Sequence, residues 1–205
     1  MQINIDKKTG IFSGVIVALV AVIISLAFIA KDDDGFFGMG HSSMNDSDNS
    51  ASMGQLTGAD VMFLQGMIPH HQQAVEMSNL ALTNSKDAEL IELATAIRDD
   101  QADEIIMMKD WLSQAGKSVE MGHSMGHSMG GMMTEAEMLA LKNASGSQFD
   151  LLWLKGMTVH HDGAIVMTQM IQNAKNLEIK KFGEAIVVAQ TAQNKQMELM
   201  LKRIS

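Results

Sequence analysis

Phe63-Leu64-Gln65-Gly66-Met67-Ile68-Pro69-His70-His71 decides how this chain is read, because it returns as Trp153-Leu154-Lys155-Gly156-Met157-Thr158-Val159-His160-His161. Both copies have the form aromatic-Leu-x-Gly-Met-x-x-His-His, and four of the seven histidines sit in the two pairs. An internal repeat that keeps a costly polar pair inside an apolar context asks for a chemical reason. On a helix, Met67, His70, Ala74 and Met77 fall along one stripe, with His71 a further 100° round. Met157, His160, Ala164 and Met167 repeat that stripe, with His161 beside it.

Working outward, Thr57-Gly58-Ala59-Asp60 resembles a capping box ahead of an apolar run, and Ser147-Gln148-Phe149-Asp150 opens the second copy in the same way. The spacing predicts helices over about 59–82, 86–115, 148–174 and 177–204, the second stopped by Gly116. Pro69 lies well inside the first, so a kink or short break is expected near Gly66–Pro69, whereas Val159 leaves the second copy straighter. The following helices also align: Gln101, Glu104, Met108, Trp111 and Leu112 match Gln190, Gln193, Met197, Met200 and Leu201. Their spacing is that of an inward stripe. Leu90, Ala94, Ile97, Met108 and Met200 read first as plain core. Gln101 and Glu104 do not, since a buried carboxylate is costly unless paired or metal-bound. Two helical hairpins, residues 57–116 and 147–205, each too small to hide its apolar face, predict an all-α four-helix bundle.

Residues 117–146 link the hairpins. They contain Met-Gly-His-Ser units, with Met121, His123, Met125, His127, Met129, Met132 and Met133 as candidate secondary metal ligands. Glycine every fourth residue makes a stable helix improbable there, and Thr134-Glu135-Ala136-Glu137 then caps a short helix to about Asn143. Residues 31–56 are rich in Gly, Ser, Asn, Asp and Met and read as a flexible tether. Before them, Ile11–Ala30 carries no charge and is long enough for one N-terminal transmembrane helix. Lys7 and Lys8 in a 1–10 cytoplasmic stub favour an orientation that leaves the rest outside the cytoplasm. The expectation is a single-pass anchor in the inner membrane with the domain facing the periplasm or cell exterior. Cleavage near Ser25-Leu26-Ala27 would instead release it to the periplasm.

Twenty methionines and no cysteine exclude disulfides and thiolate sites. A net charge of −9 argues against nucleic acid as a partner. Thioethers are soft and suit Cu(I), while imidazole also accepts Cu(II) and Zn. Zinc sites seldom use methionine, and calcium or magnesium needs more oxygen ligands. Copper as Cu(I) is therefore the expected cargo, with Ag(I) as a mimic. A methionine at helical spacing is more often core filler, and Met62, Met107, Met138 and Met170 are read so. Facing helices must supply part of each site, with Met108, Met197 and Glu104 the nearest candidates. Di-iron bundles need a helical Glu-x-x-His from each of two helices, and the only such spacing here, Glu120 to His123, lies in the Gly-rich loop. With no cysteine nucleophile and no phosphate-binding loop, catalysis has little support. A cuprous oxidase and a partner-docking bundle remain the alternatives.

The runs Gly66-Met67-Ile68-Pro69-His70-His71-Gln72-Gln73-Ala74-Val75-Glu76-Met77 and Gln101-Ala102-Asp103-Glu104-Ile105-Ile106-Met107-Met108-Lys109-Asp110-Trp111-Leu112 resemble the family called domain of unknown function 305. The resemblance covers roughly 57–115 and, more loosely, 147–204. It implies a ferritin-like four-helix bundle exported in bacteria, some members of which bind copper and contribute to copper tolerance. Carried over by position, it implies metal-linked roles for Met67, His70, His71, Met77 and Met108, with Glu104 beside them. In the second copy it implies the same for Met157, His160, His161, Met167 and Met197. There Val159 replaces Pro69, Gly163 replaces Gln73, Val166 replaces Glu76 and Gln193 replaces Glu104. The expected role is buffering, sequestering or handing on Cu(I), with a copper transporter or chaperone as a possible partner.

Overall fold

Residues 55–121 and 130–204 are described by the computed structural model. The expected anchor, nearly all of the tether, and His123, Met125, His127 and Met129 lie outside them. Among the described residues no helix is long and apolar enough to cross a membrane. They form a bundle of five α-helices and one 3-10 turn, without a strand. These are α1 (Gly58–Asn84), α2 (Ala88–Gln114), α3 (Glu135–Asn143), α4 (Ser147–Met167), the 3-10 turn Thr168–Ile171, and α5 (Leu177–Ile204).

Local chemistry explains most boundaries. Thr57 caps α1 reciprocally: its backbone N–H donates to Asp60 Oδ2 at 2.8 Å, and Asp60 N–H donates to Thr57 Oγ1 at 3.2 Å. Such a cap stabilises a helix by about 1 kcal/mol. Thr134 and Glu137 repeat it on α3, and the bonds from Thr134 hold the Glu137 carboxyl below its ordinary range. Gly116 follows α2 at φ 64, the left-handed conformation that ends helices cheaply in glycine.

Three expectations are corrected. α1 continues as one helix through Pro69, so the expected short break is absent, with the neighbours Ile68 and His70 buried. Ser147 does not cap α4. The cap is Gly146 at φ 58, without a side-chain bond, because Asp150 is engaged elsewhere: Ser85 Oγ donates to its Oδ1 at 2.6 Å. α4 also stops at Met167 rather than continuing to Ala174. Thr168 Oγ1 donates back to the Ile165 carbonyl at 2.7 Å, and the tighter turn buries Ile171. A Cβ at Gly183 of α5 would lie 2.7 Å from Ile171 Cδ1, so glycine permits that approach.

α2 packs on α1 and α5 on α4, and the hairpins join where α1 meets α4. These two helices run antiparallel. The end of α1 touches the start of α4 through Gly146 N–H to the Asn84 carbonyl at 2.9 Å. Trp153 Nε1 donates to the Met77 carbonyl at 3.0 Å. The core forms two apolar clusters. One holds Leu90, Leu141, Phe149 and Trp153; the other holds Phe63, Leu112, Ile179 and Phe182. Met62 and Met170, read as core filler, are instead 39% and 43% exposed. Met107 and Met138 are partly buried against the core.

Candidate metal centre

α1 and α4 bring their histidine pairs together at the middle of the seam, and none of the four rings reaches solvent. Consecutive residues on a helix point about 100° apart, so His70 and His71 stand with ring centroids 6.4 Å apart, as do His160 and His161. The close pair is formed across the seam. His70 and His160 lie 3.8 Å apart, tilted by 41°. Their neighbours turn outward to the second helices. His71 Nε2 lies 2.7 Å from Glu104 Oε2 on α2, and His161 Nε2 lies 2.7 Å from Gln193 Oε1 on α5. The aligned positions of the two hairpins thus do the same job with different chemistry. Glu104, a candidate ligand from the sequence, has one carboxylate oxygen on the His71 ring.

Partner chemistry assigns the protons. A carboxylate and a peptide carbonyl only accept, so His71 donates from Nε2 to Glu104, and His70 donates from Nε2 to the Gly130 carbonyl at 3.2 Å. The Gln193 carbonyl oxygen does the same for His161. Nδ1 of His70, His71 and His161 lies buried without a hydrogen-bond partner, and neither ring nitrogen of His160 has a side-chain partner. Burial holds His70 down at about 4; the neighbouring His71 adds to this and the Gly130 carbonyl opposes it. Burial likewise pushes His161 to about 3, opposed by Gln193. His160 is lowered further still, by burial first and then by His70, His161 and His71. These three rings are neutral at pH 7, the form in which imidazole binds a metal.

The antiparallel seam redistributes the methionines. Met77 of the first hairpin joins Met157 and Met197 of the second in one apolar cluster. Met67 and Met108 of the first lie in the other, with Met167 of the second packed against it. Each thioether group therefore draws on both hairpins, and the histidine layer lies between them along α1 and α4. Met67, Met77, Met108, Met157 and Met197 are fully buried, and Met167, beside the 3-10 turn, is half-buried. Thr158 Oγ1 approaches Met197 Sδ at 3.9 Å.

The residues that sequence reasoning missed dock the inter-hairpin segment onto this layer. Gln73 brackets Met133: Met133 N–H donates to Gln73 Oε1 at 2.7 Å, and Gln73 Nε2 donates to the Met133 carbonyl at 2.9 Å. A Cβ at Gly163 would meet Gly130 and Gly131 at well under contact distance, so glycine there lets the segment lie directly on α4. Gln65 Nε2 holds the other end, donating to the Ser118 carbonyl at 2.7 Å and the Glu120 carbonyl at 3.1 Å. The signal was present in the repeat. Gln73 and Gly163 occupy equivalent positions, and the mismatch marks where one segment touches both copies. Met121, Met132 and Met133 are half-buried at the described ends of the linking segment.

The donor set fits a soft cation. Among the described residues no three His, Asp or Glu side chains are grouped to hold an ion by themselves. What is grouped is a neutral imidazole pair with unpaired lone pairs, flanked by thioethers, the combination that suits Cu(I). Buried nitrogens without partners cost about 1–3 kcal/mol each, a cost a bound ion would offset. Gln101 and Gln190, also buried and equivalent in the repeat, each carry an unpaired Oε1.

The family described as Domain of unknown function (DUF305) matches residues 60–201. A putative secreted DUF305 protein from Streptomyces coelicolor superposes with a TM-score of 0.68 at 32% identity, covering 71% of this chain and 93% of that one. CopM in its Cu(II)-bound form does so with a TM-score of 0.62 at 33% identity, covering 71% and 97%. Its Cu(I)-bound form gives 0.60 at 31%, covering 73% and 98%. Uncharacterized protein L153 of Acanthamoeba polyphaga mimivirus is 40% identical over 55 residues, and the match spans 36% of that protein and 27% of this chain.

Proposed function

We propose, from the premise that this chain belongs to the DUF305 family, that it carries copper as cargo, binding Cu(I) through its Met/His layer and buffering, sequestering or handing it on. The observation that carries this reading is the His70–His160 pair, 3.8 Å apart, solvent-free and lined with unpaired imidazole nitrogens. Copper-bound forms of CopM, at 31–33% identity, support it. The bundle is read as the ferritin-like four-helix type. His70 and His160, with Met67, Met77, Met108, Met157, Met167 and Met197, supply the donors. His71 and His161 offer Nδ1, with their Nε2 protons held by Glu104 and Gln193. The Met-Gly-His-Ser segment is proposed to hold further ions weakly. Ile11–Ala30 is proposed to anchor the domain outside the cytoplasm, where a transporter or chaperone would exchange the metal.

Competition of the full chain against a chromogenic Cu(I) chelator tests the reading. More than one equivalent of Cu(I) per chain is expected, with the tightest lost when His70, His71, His160 and His161 are replaced together. No withdrawal of Cu(I) from the chelator would refute it. Tight binding unchanged in the fourfold variant would move the site away from the histidine layer.

A further inference from the structure

The four histidines and the thioethers Met77, Met157 and Met197 are closed to solvent, so a cation arriving from outside meets something else first. Met133 is placed to be that group. It is half-buried and packed against the cluster that contains those three methionines. Its position is built rather than incidental. Gln73, three residues beyond His70 on α1, grips the Met133 peptide from both sides with bonds of 2.7 and 2.9 Å. Its thioether sits over Gly156 of α4. A Cβ added there would lie 3.0 Å from Met133 Sδ, 3.2 Å from its methyl and 3.5 Å from Met77 Cε. The glycine of the Gly-Met-x-x-His-His repeat thus leaves the room in which the thioether of a half-buried methionine lies beside the methyl of a buried one.

We infer that Met133 is the ingress ligand of the buried soft-metal layer, a thioether that takes Cu(I) from solvent and passes it to Met77 beneath it. The inference rests on the copper reading above. The step is ligand exchange alone: the ion stays Cu(I), one sulfur lone pair replaces another, and no electron or proton moves. Gln73 and Gly156 are positioning residues, the first holding the Met133 backbone and the second leaving space for its sulfur.

The test follows Cu(I) uptake by the full chain by stopped-flow transfer from a chromogenic chelator, with metal-free melting measured alongside. Met133→Leu keeps the apolar contact and removes the sulfur. It is expected to slow uptake roughly tenfold while leaving the metal-free melting temperature unchanged. Gly156→Ala, which pushes the sulfur aside, should slow uptake as well. Met138→Leu, a partly buried methionine on the same cluster, should leave it unchanged. Wild-type uptake in the Met133→Leu variant would overturn the inference and leave the copper reading standing. Equal slowing in the Met138→Leu variant would also overturn it, by making the effect one of packing. A wild-type chain that takes no Cu(I) overturns both.

Discussion

The two hairpins share a sequence frame and differ where they meet their surroundings. In the first, His71 pairs with the carboxylate of Glu104, and Gln73 binds the linking segment. In the second, His161 pairs with the neutral amide of Gln193, and Gly163 makes space for that same segment. A single strap lying across a two-fold repeat cannot meet both halves alike, so one copy carries a clamp and the other a gap. The histidine partners differ in kind as well. Removing His71 would leave a buried charge unpaired, whereas removing His161 would leave only an amide. The lesson is that the departures from the repeat are as informative as the repeat itself.

The sharpest way to break the comparison is to remove the layer both hairpins share. His70→Ala with His160→Ala should lower Cu(I) affinity by roughly a hundredfold or more, a loss of about 2.7 kcal/mol, as read by chelator competition. If one single substitution accounts for all of the loss, the hairpins are not equal contributors to the pair. Next in size is stability without metal. His71→Leu should cost about 3–5 kcal/mol in denaturant unfolding, since it strands Glu104 in the interior. His161→Leu should cost less, about 1 kcal/mol, because Gln193 is half-buried and its amide can reach water. Equal costs would show that the Glu104 charge is relieved by solvent.

The pH dependence comes third. His70 and His161 titrate in the folded state at about 4 and about 3, below the ordinary 6.5, and His160 is lowered in the same direction. Between those values the unfolded chain binds more protons, so stability rises with pH. Their contribution is complete above about 6.5 and is lost as pH falls through about 4 for His70 and about 3 for His161. Asp100, raised to about 6 by burial and then by Glu104, Asp103 and Asp99, acts with the opposite sign and offsets part of the fall. Melting of the metal-free chain from pH 7.5 to 4.5 checks this. A flat profile would mean that the histidine layer admits water. Smallest is the exchange of character: Glu104→Gln should make the first hairpin resemble the second, changing Cu(I) affinity by less than about tenfold. A larger drop would make the Glu104 carboxylate itself part of the first hairpin's metal site.

Much of the architecture was legible. Thr57 and Thr134 name their own helix starts through short-range bonds, Gly116 marks a stop, and the 3.6-residue period of Leu, Ala and Met marks the buried faces. What was hidden depended on contacts distant in sequence. Asp150 looks like half of a capping box until Ser85, from the other hairpin, takes its carboxylate. The end of α4 at Met167 is set by the burial of Ile171 against Gly183, which no local pattern announces. Grouping Met77 with its own hairpin was natural from spacing. Antiparallel packing of α1 on α4 places it with Met157 and Met197 instead.

The sequence by itself determined the helices, the two-hairpin repeat and the soft chemistry of its buried stripes, because caps and periodicity act within a few residues. Only the tertiary structure decided that His70 meets His160 rather than His71, that Glu104 serves a histidine, and that Met133 lies over Gly156. Those outcomes depend on the direction in which α1 crosses α4, which is set by the packing of whole faces.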